Sequence, residues 1–145
     1  MKTVCNLNQC SGCKACIEKC GKNAIRLEDN MRAYNAIIDE QKCINCGICH
    51  RVCQVNSYDD FQSQLYWKQG WAKNNDIRQQ ASSGGVASAI EYAFIKDGGC
   101  VCSCLFEKGD FKFKIIDNVD EISIFAGSKY VKSNPKSIYS DIQKN

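Results

Sequence analysis

Two runs of cysteines with identical spacing are the residues in this sequence best suited to chemistry. Cys10, Cys13, Cys16 and Cys20 are separated by two, two and three residues, and Cys43, Cys46, Cys49 and Cys53 repeat that spacing 33 residues later. Thiolates are soft ligands, and a cubane iron–sulfur core needs one at each of its four iron corners. A loop with three cysteines at intervals of two can wrap around three corners, so the fourth ligand comes from another place. The spacing predicts two [4Fe–4S] clusters that move single electrons.

Zinc sites and disulfides are the two alternative uses for these cysteines. Zinc ribbons typically pair two C-x2-C knuckles rather than using triplets with a fourth cysteine after three residues. Disulfides belong to oxidising compartments, yet the N-terminal sequence contains no apolar signal-peptide core. No run approaches the roughly 18 apolar residues that a bilayer span needs. We therefore expect a cytoplasmic protein without a membrane span, and the spacing favours iron–sulfur binding.

Residues 4–54 resemble the bacterial two-cluster ferredoxins, in which the last cysteine of each run binds the other cluster. The resemblance implies one cluster held by Cys10, Cys13, Cys16 and Cys53 and a second held by Cys43, Cys46, Cys49 and Cys20. Proline usually follows the fourth cysteine in that family, whereas Gly21 and Gln54 stand at those positions here. We expect this departure to change the local geometry and not the presence of the clusters.

The formal net charge of +3 counts every cysteine as neutral. A cubane core of charge +2 with four thiolates carries −2, so two such sites would bring the oxidised chain from +3 to −1. The lysines and arginines are also dispersed along the sequence rather than clustered. We therefore expect no nucleic-acid partner, and instead a redox partner protein or oxidoreductase subunits.

Other candidate residues lie outside the two runs or beside a ligand. Cys5 is interpreted as a small apolar residue of a first strand. Cys100, Cys102 and Cys104 alternate and would share one face of a strand, where packing against a helix is favoured over a third metal or redox site. His50 is interpreted as a solvated neighbour of the second cysteine run.

Short elements are expected around the cysteine runs. Residues 24–28 and 36–39 predict strands, Asp29, Asn30 and Asn35 predict turns, and each cysteine loop leads into a short helix. A unit below about 60 residues usually depends on metal or another staple, which the clusters would supply.

The second half of the sequence predicts the order α-β-β-α-β-α. The expected elements begin with a helix through Lys96, followed by strands over 100–107 and 111–116 that are joined by a turn at Lys108-Gly109-Asp110. A short helix capped by Asn118 and running through Phe125, a strand over 128–132 and a last helix opened by Asn134-Pro135 follow. Before them, residues 65–67 and 71–72 have a strand-like pattern, and 73–76 are expected to form a loop.

The turn Ser82-Ser83-Gly84-Gly85 precedes the first of these helices. Free N–H groups and the positive end of the helix could bind an anion there, and glycine lets a phosphate approach closely. The alternative is that Ser83 is an ordinary helix N-cap.

From Trp71 onward the sequence resembles the beta subunit family of coenzyme F420 hydrogenases and dehydrogenases. The matching stretches are Trp71-Ala72-Lys73-Asn74 with Ile77-Arg78, Ser82-Ser83-Gly84-Gly85-Val86, Gly98-Gly99-Cys100-Val101 and Gly127-Ser128-Lys129-Tyr130-Val131. The family implies a flavin-containing subunit that exchanges hydride at a flavin or deazaflavin and passes electrons through clusters. By this resemblance Ser82, Ser83, Gly84 and Gly85 would contact the phosphate of a flavin such as FAD, and Lys129 would be a cationic contact.

These observations predict an α+β protein, with a two-cluster ferredoxin-like domain followed by an α/β domain. The expected boundaries are 1–57 for the ferredoxin-like domain, 58–80 for a connecting segment and 81–145 for the N-terminal part of a flavin oxidoreductase beta-subunit-like domain, which we expect to be cut short. The expected function is iron–sulfur electron transfer within a flavin- or F420-linked oxidoreductase, with no catalytic residue in this chain. The alternatives are a self-standing two-cluster ferredoxin with a partner-docking domain and a domain of structural or regulatory role.

Overall fold

The computed structural model describes residues 1–57 and 62–144. Contacts divide the chain into two compact units: residues 1–62 with 135–140, and residues 63–134 with 141–145. The α+β class expected from the sequence is confirmed, because both units contain helix and the chain forms two antiparallel sheets. Within the described ranges, no helix is both long enough and apolar enough to cross a membrane.

The first unit is built on a three-stranded antiparallel sheet. Its strands are β1 (Lys2–Thr3), β2 (Ile25–Asp29) and β3 (Tyr34–Ile38), in the order β1-β3-β2, and its helices are α1 (Ala15–Glu18) and α2 (Ile48–Arg51). The two helices are related by the same offset as the two cysteine runs, and each begins inside its run. The repeat in the sequence is therefore a repeat of loop and helix.

The core of the first unit is small and is surrounded by cysteines. Val4, Ile25, Ala36 and Ile38 are buried together with Cys16, and five other cysteines of the two runs pack against them. A core of this size stabilises little by itself, which is why such a unit depends on a metal centre.

Asn35, which was predicted to mark a turn, lies inside a strand instead. Asn35 belongs to β3, is 4% exposed, and accepts a 2.7 Å hydrogen bond from the backbone N–H of Asn8. Its amide is satisfied inside the structure, so the polar residue does not mark a turn. The turn between β2 and β3 is nonetheless where it was expected, because Asp29 accepts from the N–H of Met31 and Asn30 from that of Ala33.

The second unit combines a β-hairpin with helices. Its elements are α3 (Asn75–Gln80), α4 (Val86–Lys96), β4 (Val101–Glu107), β5 (Asp110–Ile116) and a 3-10 helix (Val119–Phe125); α5 (Ile138–Ile142) follows near the end of the chain. The β4–β5 turn uses Lys108 and Gly109, both at positive φ, as a two-residue hairpin turn requires. The core consists of Ile95, Leu105, Ile116, Ile122 and Phe125.

Three expectations for the second half are wrong. Residues 128–132 form no strand, residues 65–67 and 71–72 are also not strands, and α3 begins inside the expected loop. The helix forms there because the Asn74 side chain caps it, accepting hydrogen bonds from the N–H groups of Asp76 and Ile77 at 2.8 and 3.3 Å. The predicted Asn118 cap does occur, with its side chain accepting from the N–H of Asp120 at 3.0 Å.

Candidate functional site

A small cavity in the first unit collects cysteines from both runs. Its lining includes Cys10, Cys13 and Cys16 of the first run together with Cys53 of the second. Cys16 is 7% exposed and belongs to the core of the unit. The cavity measures about 10 Å³, so these four side chains, here called the first quartet, are closely enclosed.

A larger cavity collects the other four cysteines. Cys43, Cys46 and Cys49 of the second run line it with Cys20 of the first, around a volume of about 210 Å³. Its remaining walls are largely apolar, and Cys46 is exposed to solvent. This second quartet is therefore more open than the first, and the two quartets exchange their fourth cysteines as the ferredoxin resemblance implies.

Backbone conformation explains how each loop wraps around its cavity. The residues on either side of the middle cysteine of each triplet have positive φ; they are Gly12 and Lys14 in the first loop and Asn45 and Gly47 in the second. These conformations turn backbone N–H groups toward sulfur. Gly12 donates to Sγ of Cys10 and Asn45 donates to Sγ of Cys43, each at 3.4 Å. Such bonds favour the thiolate, which is the form that binds metal.

The thiols within each quartet also act on one another electrostatically. Burial, followed by the charges of Cys13, Cys10 and Cys53, raises the pKa of Cys16 to about 12. Burial also raises the pKa of Cys49, against the backbone N–H of His50, and Cys43, Cys46 and Cys20 raise it further. Four thiols this close cannot all ionise alone because like charges repel. A cationic core would supply the missing positive charge.

Each quartet presents a donor set of four cysteine thiols around one cavity. Within residues 1–57 and 62–144, no three His, Cys, Asp or Glu side chains converge closely enough to hold a single metal ion. Tetrahedral zinc would draw all four sulfurs to about 2.3 Å from one centre. A cubane instead binds each thiolate at a separate corner, and the quartets fit that donor arrangement.

The second unit contains a cavity of about 410 Å³ at the start of α4. Ser82, Ser83, Gly84 and Gly85 line it together with Glu91, Ser103 and Ser128. Gly85, with φ of +73°, is the N-cap of α4 and no side chain caps the helix. The interpretation of Ser83 as an ordinary N-cap is therefore wrong. The Ser82 hydroxyl accepts a 3.0 Å hydrogen bond from the N–H of Ser128. This bond brings together the two family-like stretches that begin at Ser82 and at Gly127.

Comparison with protein families gives two matches. Residues 9–57 match the 4Fe-4S dicluster domain, and residues 68–138 match the N-terminal domain of the coenzyme F420 hydrogenase/dehydrogenase beta subunit. The two matches follow one another along the chain in that order. Both resemblances drawn from the sequence are confirmed, and the function they support is iron–sulfur electron transfer.

A curated relative is similar over the cysteine-rich part. This relative, a subunit of the ion-translocating oxidoreductase complex of Methanosarcina acetivorans, is 40% identical over 53 residues, which cover 37% of this chain and 18% of that protein. The match therefore spans less than a fifth of the relative's length. No solved structure matches the chain.

In the dicluster domain, Gln54 has a defined role at a position where ferredoxins usually carry proline. Its side-chain Nε2 donates a 2.7 Å hydrogen bond to the hydroxyl of Ser11, which lies inside the first cysteine loop. The residue after Cys53 thus ties the two cysteine runs together through a side chain rather than through a rigid ring.

In the beta subunit domain, the Lys129 ammonium is directed at the end of the 3-10 helix. It donates to the carbonyl oxygens of Phe125 and Ala126, both at 2.8 Å. These two carbonyls would otherwise be unsatisfied at the helix end. A contact between Lys129 and a phosphate stays a prediction, and it would require the ammonium to share these bonds.

Glu91 is a cavity residue that the sequence motifs did not indicate. Burial raises the pKa of its carboxyl, and the nearby charge of Lys129 opposes that rise. An acidic group in a cavity predicted to hold phosphate is unfavourable if it is ionised next to the anion, but a carboxyl can also accept hydrogen bonds from ligand hydroxyls. In the sequence Glu91 is simply a charged residue of a helix, and no pattern indicates that its side chain lines the cavity.

The interpretation of Cys100, Cys102 and Cys104 as a packing face is wrong for the first two. Leu105 is the buried residue of β4, whereas Cys102, on the opposite face, and Cys100, which precedes the strand, are exposed. Cys104 is half-buried, with its sulfur 2.8 Å from the hydroxyl of Ser133. The alternation correctly predicted that Cys102 and Cys104 share one face of β4, but it could not show which face of the strand meets the core.

Cys5 is buried, as expected of a small apolar residue, but it does not belong to the first strand. It follows β1, is 8% exposed, and lines the cavity of the first quartet. Burial, then the thiols of Cys53 and Cys10, raises the pKa of Cys5 to about 11. Cys5 lies five positions before Cys10, outside the spacing of either run, so the motif could not reveal this contact.

Proposed function

We propose that this protein transfers single electrons through two [4Fe–4S] clusters held by the crossed quartets. The first would be bound by Cys10, Cys13, Cys16 and Cys53, and the second by Cys43, Cys46, Cys49 and Cys20. The observation that carries the proposal is the placement of one cysteine from each run in the cavity of the other. Bound at these positions, the clusters supply one-electron chemistry.

The residues of the chain position and tune these sites. Backbone N–H groups donate to sulfur in both quartets, including Ala24 to Cys20 at 3.3 Å in the second. The second site is also the accessible one, since Cys46 is exposed and Ile44 and Ile48 on its rim are 63% and 38% exposed. An exposed apolar rim around a redox centre suits electron exchange with a partner protein, because a docked surface excludes water and shortens the transfer distance.

The finer proposal is that this module belongs to a flavin- or F420-linked oxidoreductase in the cytoplasm. The cavity at the start of α4 supports it, because backbone N–H groups at Ser83, Gly84 and Gly85 can face a phosphate of FAD. A flavin exchanges two electrons with a substrate and one at a time with a cluster. The curated relative belongs to an oxidoreductase complex, which supports oxidoreductase subunits as partners here.

Metal and sulfide content test the cluster proposal directly. Protein purified without oxygen should contain about eight iron and eight sulfide per chain. Zinc without sulfide would refute it. Cys102→Ala is the matched control because that cysteine is exposed and lies outside both quartets, so its iron content should equal that of the wild type.

Flavin binding tests the finer proposal. We expect the protein to quench the fluorescence of added FAD, and Ser83→Asp to weaken binding at least tenfold by placing a negative charge in the cavity. Ser63→Asp is the control, since Ser63 is exposed and does not line that cavity. If the protein contains eight iron per chain but does not bind FAD, the proposed electron transfer through clusters stands and the proposed flavin-linked function is contradicted.

A further inference from the structure

Cys5 is a fifth thiol beside the four predicted ligands of the first cluster. It lines the same cavity as the first quartet and is nine-tenths buried. Its thiol shares that cavity with the thiols of Cys53 and Cys10. A cubane has four corners, and the first quartet already provides four thiolates. Cys5 therefore has a place at the site without a place in the coordination.

The internal repeat supplies a direct comparison. The residue 33 positions after Cys5 is Ile38, just as Cys43 is 33 positions after Cys10. Ile38 is 7% exposed and lines the cavity of the second quartet. Equivalent positions beside the two quartets thus carry a thiol at the first and a hydrocarbon side chain at the second.

This difference bears on the reduction potential of each cluster. A thiol is a weak hydrogen-bond donor, and a thiolate is an anionic acceptor that strengthens the bond. Hydrogen bonds to the sulfurs of an iron–sulfur cluster stabilise its more negative, reduced form. An isoleucine offers no donor and cannot do this.

We propose that Cys5 donates a hydrogen bond to the ligand sulfurs of the first quartet and raises the reduction potential of the first cluster. The inference rests on the proposed clusters and goes beyond them by assigning Cys5 a role in tuning the potential of one of the two.

Potentiometric titration with electron paramagnetic resonance tests this on the full cluster-loaded chain. Cys5→Val and Cys5→Ala should each lower the reduction equilibrium constant of one cluster about tenfold, which is 59 mV for one electron, and leave the other unchanged. Cys5→Ser keeps a donor and should stay within about threefold of the wild type. Ile38→Val is the control, because it trims the equivalent position without removing a donor, and neither potential should move. Hyperfine-shifted cysteine β-proton resonances identify the quartet to which each potential belongs.

The outcomes separate this inference from the proposed function. Eight iron per chain with unchanged potentials in Cys5→Val and Cys5→Ala overturns the role of Cys5 alone. A shift in the cluster held by Cys43, Cys46 and Cys49, or an equal shift in Cys5→Ser, also overturns it. Loss of about four iron in Cys5→Ala would show that Cys5 is a ligand rather than a donor. A wild-type protein without iron and sulfide overturns the proposed clusters themselves.

Discussion

The hydroxyl of Tyr139 donates a 2.9 Å hydrogen bond to the carbonyl oxygen of Cys13, 126 residues away in the sequence. The backbone N–H and the hydroxyl of Ser140 both donate to Oε1 of Glu18 on α1. Residues 135–140 therefore belong to the first unit, and they hold the loop that carries the first quartet.

Removing these bonds should loosen that segment. Tyr139→Phe loses one hydrogen bond and should cost about 1 kcal/mol locally, whereas Ser140→Ala weakens the support of a buried carboxylate and should cost about 1–3 kcal/mol. Hydrogen exchange of the amides in residues 135–140 measures the effect, with about tenfold faster exchange for each 1.4 kcal/mol if exchange follows local opening. Tyr130→Phe is the control because Tyr130 is 93% exposed. Wild-type exchange rates in both variants would show that the segment is held by other contacts.

Crossed ligation predicts which cluster each fourth cysteine serves. Cys20→Ala should damage the cluster held by Cys43, Cys46 and Cys49, and Cys53→Ala should damage the other, because each removes one corner ligand. Iron should fall from about eight toward about four per chain in either variant, and the remaining cysteine β-proton resonances should belong to the untouched quartet. If Cys20→Ala instead loses only the cluster beside Cys10, the ligation follows the order of the sequence.

Local signals in the sequence predicted the elements that depend on local chemistry. The Asn118 cap, the Lys108-Gly109 turn and the helix ending at Lys96 are confirmed, since each is determined by residues within a few positions. Residues 128–132 have the composition of a strand, but Tyr130 and Val131 are 93% and 51% exposed and no strand forms there. A strand needs a partner, and a partner is not visible in a local pattern.

In the candidate site, too, the sequence revealed what depends on local spacing and did not reveal what depends on distant parts of the chain. Cysteine spacing indicated the eight predicted ligands, and a family resemblance, rather than spacing, supplied the crossing. The positions of Cys5 and Glu91 were missed because their surroundings come from distant parts of the sequence, the first quartet around Cys5 and the charge of Lys129 near Glu91. Periodicity placed Cys100 and Cys102 on one face but could not show that Leu105 on the other face is the one that meets the core.

We predict that position 85 requires glycine for two reasons, its left-handed backbone conformation and the lack of space for a Cβ. It has φ of +73°, and a Cβ there would lie 3.2 Å from Cα of Arg78 and 3.3 Å from Cβ of Ala72. Gly98, after α4, has φ of +87° but open space around it. Gly98→Ala should therefore cost about 1 kcal/mol for the left-handed conformation, and Gly85→Ala about 2–4 kcal/mol because crowding adds to that strain.

Urea unfolding followed by tryptophan fluorescence measures both glycine variants, since Trp71 lies beside the loop that contains Gly84. Equal losses in Gly85→Ala and Gly98→Ala would mean that the loop moves away freely and that only the conformation matters. A larger loss in Gly98→Ala would contradict the packing argument.

Glu91, in the cavity at the start of α4, should make the stability of the protein depend on pH. Burial raises the pKa of Glu91 in the folded protein, so its favourable contribution is fully present below its unfolded pKa of about 4.3. That contribution is lost as the pH rises through the folded pKa, because the ionised carboxylate is poorly solvated. Glu91→Gln cannot ionise and should raise the midpoint of thermal unfolding relative to the wild type, by a margin that grows as the pH rises from about 4.3 through the folded pKa of Glu91 and then stays constant.

Glu107 provides the opposite case as a control. A hydrogen bond from Lys112, and then the charge of that lysine, lowers the pKa of Glu107. Its contribution to stability is therefore present above its unfolded pKa and is lost as the pH falls through the folded pKa. Glu107→Gln should lower the unfolding midpoint at pH 7, and the difference from wild type should shrink in acid. If Glu91→Gln also lowers the midpoint at pH 7, the ionised Glu91 carboxylate is stabilised by Lys129 more than it is penalised by burial.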